Sequence, residues 1–221
     1  MHIVCALAYE HRALRRASIG GIELSEPCGP GANAIERWAD RFEQEHGAEA
    51  RERRTPVILA GLAGGLRELW RLGEAAWIRE VRMEDGRELE PPYPQSASSA
   101  SKRASVCSSG VIVRSPAERR TLAERTGCDL VDQESAAFAE AGERYGWRWG
   151  IVRGVSDGVG DRLPSGIEAW VDDRGRSRPG RIALDLIRRP SGIPMTGRLS
   201  RASRQAMASV AARLAETMEL G

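Results

Sequence analysis

The chain has 221 residues, 41% of them apolar, and 33 basic side chains against 31 acidic ones leave a net charge of +2. This length suits one α/β domain with a continuous core, and the near-balance excludes a whole-molecule field that would draw nucleic acid or a membrane surface, so any charge-dependent role must be local. Cys5, Cys28, Cys107 and Cys128 share no metal-ligand spacing, no signal-peptide pattern opens the chain, and no apolar stretch approaches the ~20 residues that cross a bilayer, so a reduced, soluble, cytoplasmic protein without a membrane span is expected.

Residues 2–8 (HIVCALA) form a nearly unbroken apolar run and read as a strand covered on both faces. Ile22-Glu23-Leu24 alternates as a second, short strand, and Pro27-Cys28-Gly29-Pro30-Gly31 breaks it. From Asn33 onward Ala34, Ile35, Trp38, Ala39 and Phe42 recur at helical spacing. Residues 43–55 are charged and read as a solvated stretch, because Glu45, Glu49 and Glu52 interleave with the arginines. Pro56-Val57-Ile58-Leu59-Ala60 resumes a strand that runs into glycines at residues 61–65, and residues 73–90 alternate about a Glu84-Asp85-Gly86 turn as one or two antiparallel strands.

Residues 91–109 are rich in Pro and Ser and poor in apolar side chains, which predicts a mobile loop, either a lid or simple disorder. Val111-Ile112-Val113 reads as a further strand. Ser115-Pro116-Ala117-Glu118 carries the residue types of a helix start and predicts a helix to about Thr126. Residues 129–132 follow as a brief strand, 135–145 as an Ala-rich helix and 147–155 as a strand. Residues 172–181 are irregular, 182–188 form a short helix, and Ser200 caps a last helix with Met207, Val210, Leu214 and Met218 on one stripe. Strands alternating with helices imply a single α/β domain over residues 1–221, with three α/β/α layers around a mixed, mostly parallel sheet.

Ligands of open α/β sheets sit beyond the carboxyl ends of strands. Here four strands end in Tyr9-Glu10, Ala63-Gly64-Gly65, Asp132-Gln133-Glu134-Ser135 and Arg153-Gly154-Val155-Ser156-Asp157. Singly, each has a plain structural reading: Glu10 and Glu134 as partners of helix dipoles, the glycines as a tight turn, Ser156-Asp157 as a helix cap. No G-x-G-x-x-G follows the first strand, which argues against a dinucleotide-binding oxidoreductase.

Together and in this order, with Gly29-Pro30-Gly31-Ala32-Asn33 between the first two, these stretches resemble the purine nucleoside phosphorylase and nucleosidase superfamily, which includes methylthioadenosine/S-adenosylhomocysteine nucleosidases. Within it, Leu163-Pro164 soon after the Ser-Asp and the Arg-rich tail look most like the hopanoid-associated phosphorylase-like group. The resemblance implies cleavage of the N-glycosidic bond of a purine, adenosine-type nucleoside by water or by phosphate, with no metal or organic cofactor, in a homo-oligomer.

Such a cleavage needs an acid for the departing base, a group that holds the sugar hydroxyls and a nucleophile on the opposite face. By resemblance Asp157 is the acid toward purine N7, Ser156 positions it, and Glu134 accepts from the 2′ and 3′ hydroxyls. Gln133 stands beside Glu134 where the family carries Met. Glu10 resembles the glutamate that orients water, although a slip of two positions would put Arg12 there and favour phosphate; His11 is a further candidate for proton transfer. Gly31, Ala63 and Gly64 offer backbone N–H groups to the substrate. An alternative implied by Gln133 is a nucleoside-binding module without turnover.

Overall fold

A computed structural model describes residues 1–94 and 102–219. In chain order these form β1 (His2–Val4), α1 (Ala8–Ala17), β2 (Glu23–Leu24), α2 (Ala32–Phe42), a π-helical turn (Glu43–Gly47), α3 (Ala48–Glu52), β3 (Val57–Gly65), β4 (Ala75–Arg82), β5 (Glu88–Leu89) and β6 (Arg103–Ser108). There follow α4 (Pro116–Thr126), β7 (Leu130–Asp132), α5 (Ser135–Tyr145), β8 (Trp149–Asp157), α6 (Pro179–Arg188) and α7 (Ile193–Glu219), with 3₁₀ turns at Ile167–Trp170 and Pro190–Gly192.

All the strands belong to one mixed sheet. β2, β1, β3 and β8 run parallel, β8 pairs antiparallel with β4, and β4, β6 and β7 are again parallel. β7 then returns antiparallel to the end of β3 through Gly64↔Val131 and Gly65↔Leu130. Five strands therefore close on themselves as a small barrel, with β1 and β2 extending one side and β5 edging β4.

Helices cover the sheet on two sides, which gives the three layers expected. On one side Ile35, Trp38 and Phe42 of α2 and Phe138 of α5 pack with Trp147, Trp149 and Ile151. On the other, Leu14 of α1 and Met207, Val210 and Leu214 of α7 pack on Ile3, Ile58 and Val152. Apolar burial of this kind contributes roughly 25 cal/mol per Å² and fixes the strand ends that carry the site.

Several elements differ from the sequence reading. β1 stops at Val4, because Ala8 already begins α1. Residues 43–52 are helical, closed by Arg51 reaching Glu43 at 2.7 Å. The segment expected to be a mobile loop contains β6, whose Ala104, Ser105, Val106 and Cys107 are buried between β4 and β7; residues 95–101 of that expectation lie outside the described residues. Val111-Ile112-Val113 forms no strand, and Val111 is 72% exposed. The last helix starts at Ile193, not after Ser200, with Pro194 in the first turn, where its missing N–H costs nothing. Among the described residues no helix is long and apolar enough to cross a membrane.

Candidate active site

A cavity of about 480 Å³ opens beyond the carboxyl ends of β3, β7 and β8, a size suited to one small organic ligand. Glu10, Gln133, Glu134, Ser156 and Asp157 line it, together with Ala63 and Gly64 of β3. Arg12 and His11 do not, and Arg12 is exposed. Gly31 faces a neighbouring cavity instead, and its N–H is engaged by Glu134 Oε1 at 2.8 Å. That glycine supports the glutamate.

Glu10 is the third residue of α1 and 2% exposed. Its Oε2 accepts from the Leu7 N–H at 2.9 Å, the reach-back of a helix-start carboxylate. Oε1 accepts from the Leu62 N–H of β3 at 2.8 Å. Burial pushes the Glu10 carboxyl up, opposed by Arg153 and by backbone N–H groups. Glu10 thus stands in the first turn of the helix, at the positive end of its dipole, and the same carboxyl also faces the cavity.

Glu134 precedes α5 and is fixed from two sides, by Gly31 and by Arg153 Nη2 at 3.5 Å from Oε2. Burial raises its carboxyl to about 7, with Arg153 opposing and Asp132 adding to the rise. Arg153 is fully buried at the centre of this group and reaches Asp132 Oδ2 at 2.6 Å. Asp132 in turn accepts from Ser108 Oγ at 2.8 Å and from the Ser135 N–H at 3.1 Å. A Cβ on Gly61 would lie 2.7 Å from both Arg153 Nη1 and Glu10 Oε1. Only a bare backbone lets these two buried groups meet there.

Asp157, at the end of β8, has both oxygens engaged as acceptors. Ser156 Oγ lies 2.5 Å from Oδ1, and the buried Arg119 of α4 pairs with Oδ2. Arg119 also donates to the Val113 carbonyl at 2.9 Å and to the Gly65 carbonyl at 3.2 Å. A Cβ on Gly64 would sit 2.6 Å from Arg119 Nη1 and 3.0 Å from Asp157 Oδ2, a second place where β3 must be bare. Arg153 lies opposite Gly61 and Asp157 opposite Gly64, so β8 fits one residue more than β3 between the two pairs. The extra residue falls at Ser156, a bulge of the kind that re-aims a side chain.

The walls above these groups are apolar. Val111, Ile112 and Val113 form one, and Ile167, Trp170 and Ile182 belong to the other. Trp170 Nε1 is held by Asp185 Oδ2 at 3.0 Å. Among the described residues no three His, Cys, Asp or Glu side chains converge as a metal site.

Sequence reasoning missed Arg119, Arg153 and Asp132. Arg153 stood inside a flagged stretch but had no partner nearby in sequence. Arg119 shares a helix face with Leu122 and Thr126 at spacings of three and seven, the one local hint that it points inward.

Residues 99–188 match the family model described as the phosphorylase superfamily. Over this stretch, fewer than half of its residues, the chain is similar to that superfamily. Solved structures extend the likeness to the whole chain. The 5′-methylthioadenosine/S-adenosyl homocysteine nucleosidase of Helicobacter pylori matches with a TM-score of 0.69 at 12% identity, over 100% of this chain and 97% of that one. Futalosine hydrolase of Helicobacter pylori strain 26695 gives the same values. A methylthioadenosine/S-adenosylhomocysteine nucleosidase from Colwellia psychrerythraea 34H, in complex with adenine, matches with a TM-score of 0.66 at 12% identity, over 99% and 93% of the two chains. At these identities the likeness to the superfamily structures is one of fold. No curated protein matches the chain at the sequence level.

Proposed function

We propose that this protein is an enzyme that hydrolyses the N-glycosidic bond of a purine, adenosine-type nucleoside, without a metal or organic cofactor. The observation that carries the choice of water over phosphate is the placement of Glu10: a buried carboxyl faces the cavity while Arg12, the alternative at that position, is exposed. A carboxylate repels a phosphate dianion and accepts a proton from water. The neighbours described above are hydrolases by name, in keeping with this reading.

In the proposed reaction the nucleoside lies across β3 with its ribose at Glu134 and its base toward Asp157. Glu134 accepts from the ribose hydroxyls, and Arg153 and the Gly31 N–H hold it in place. As the C1′–N9 bond breaks, positive charge develops on the sugar next to Glu134 and Glu10. Water attacks C1′ and gives its proton to Glu10, whose carboxyl burial pushes up, so that it holds a proton more readily than an ordinary glutamate. Asp157 delivers a proton from Oδ1 to the base N7, because Oδ2 is held by Arg119. Free ribose or its 5′-substituted form and free base leave.

One observation favours the second reading, a nucleoside-binding module: both oxygens of Asp157 are already engaged, Oδ1 by Ser156 Oγ and Oδ2 by Arg119. A single assay separates the two. Incubation with adenosine and with 5′-methylthioadenosine, in phosphate-free and in phosphate buffer, is expected to release adenine and free sugar in both buffers. Sugar 1-phosphate formed only with phosphate would overturn hydrolysis. Binding of adenine without any base release would establish the module.

A further inference from the structure

The C-terminal third carries a feature that the cavity chemistry does not use. Between Asp172 and Arg204 nine arginines stand with three acids, Asp172, Asp173 and Asp185, in a chain whose overall excess is only two positive charges. All nine are exposed. Among the described residues Arg174, Arg176, Arg178, Arg188, Arg201 and Arg204 have no acid within ion-pair distance, while Arg181 and Arg198 lean on Asp185 and Asp161.

α6 lies in the middle of this field and has no buried residue. Its inner face is committed: Ile182 lines the cavity and Asp185 holds Trp170. Its outer face presents Arg181, Leu184, Ile187 and Arg188, three or four residues apart along the helix. Ile187 is 78% exposed, Leu184 38%, and Ile193, just beyond, 54%. Three of the five large hydrophobic side chains that stand exposed among the described residues fall within residues 184–193.

We propose that this face docks on an anionic lipid bilayer surface, with Leu184, Ile187 and Ile193 entering the headgroup boundary and the arginines pairing with lipid phosphates. The chemistry selects this partner. Aliphatic tips framed by an excess of guanidinium groups match a surface that is apolar within and negative at its rim. A second copy of the chain applied through the same patch would set arginines against arginines. A single-stranded nucleic acid would call for aromatic stacking groups, and the protruding side chains here are aliphatic. Because Ile182 on the same helix lines the cavity, docking brings the cavity wall to the lipid surface.

The test is co-sedimentation of the full chain with vesicles of phosphatidylcholine alone and of phosphatidylcholine with about 30% phosphatidylglycerol. Binding is expected to the anionic vesicles only, to be lost at about 0.5 M salt, where the Debye length falls to a few ångströms. Ile187→Glu and, separately, Arg188→Glu are each expected to weaken binding by about tenfold or more, since both apolar insertion and charge contribute. Far-UV circular dichroism and particle mass by light scattering should match the parent, because both side chains are exposed. No binding, equal binding to neutral vesicles, or variants that bind like the parent would overturn the proposal. A fall in particle mass for Ile187→Glu without a change in vesicle binding would assign the face to a subunit contact instead. None of these readouts depends on nucleoside cleavage.

Discussion

Asp157 is asked to do two things that pull apart. As a structural group it neutralises Arg119, which is 1% exposed and would otherwise hold a charge in the core; as the proposed acid it must give up a proton. Substitution separates the roles. Asp157→Asn should slow base release by about 10²–10⁴-fold and also lower stability, since removing one member of a buried pair costs on the order of 3–5 kcal/mol. Adding Arg119→Met should restore most of the stability, because an apolar replacement removes the stranded charge, and should restore none of the turnover. Thermal unfolding and adenine release measured on the two single variants and the double variant check this. Recovery of activity in the double variant would show that Asp157 acts only as a counter-ion.

α4 delivers Arg119, and its start is set by a local device. Ser115 Oγ accepts from the Glu118 N–H at 3.2 Å, and Glu118 Oε2 accepts from the Ser115 N–H at 2.9 Å. Ser115→Ala should cost about 1 kcal/mol, seen as a fall in Tm of roughly 2–4 °C for a chain of this length. It should raise KM for nucleoside more than it lowers kcat, because Arg119 also grips the Val113 carbonyl in the cavity wall. This helix was readable from sequence to its last residue, as was α5, because caps and stops are written in four or five adjacent positions. β6 was not: its buried Ala104, Ser105 and Cys107 are short and follow a Pro/Ser-rich stretch, so nothing in composition distinguished a central strand from a loop. The candidate site divides in the same way. Glu10, Glu134 and Asp157 were visible as acids at strand ends. Arg119 and Arg153 were not, because the value of a buried cation depends on carboxylates 19 to 38 residues away in the chain.

The buried acids also mark how the whole protein responds to pH. Glu134 is raised from an ordinary 4.5 to about 7, and Glu10 moves in the same direction. The folded protein therefore keeps protons that the unfolded chain has already released between these values. The stability contributed by the protonated glutamate is present in full below about 4.5 and is lost as pH rises through about 7. Denaturant midpoints taken from pH 5 to 8 should fall over this window, and Glu134→Gln should flatten the fall. Activity should run the other way, declining below about pH 7 as the carboxylate proposed to hold the ribose takes up its proton. A denaturation profile unchanged by Glu134→Gln would show that another group governs it.

β3 is paired with β1 on one edge and with β8 on the other, and the two arginine–carboxylate groups sit over Gly61 and Gly64. Along the strand these two positions are the rise of three residues apart, roughly 10 Å. In the proposed reaction the strand is then a fixed gauge between the end of the cavity that takes the sugar and the end that takes the base. Variety in what the protein accepts has to come from the side chains that roof the cavity, since a change in the gauge would mean rebuilding the barrel.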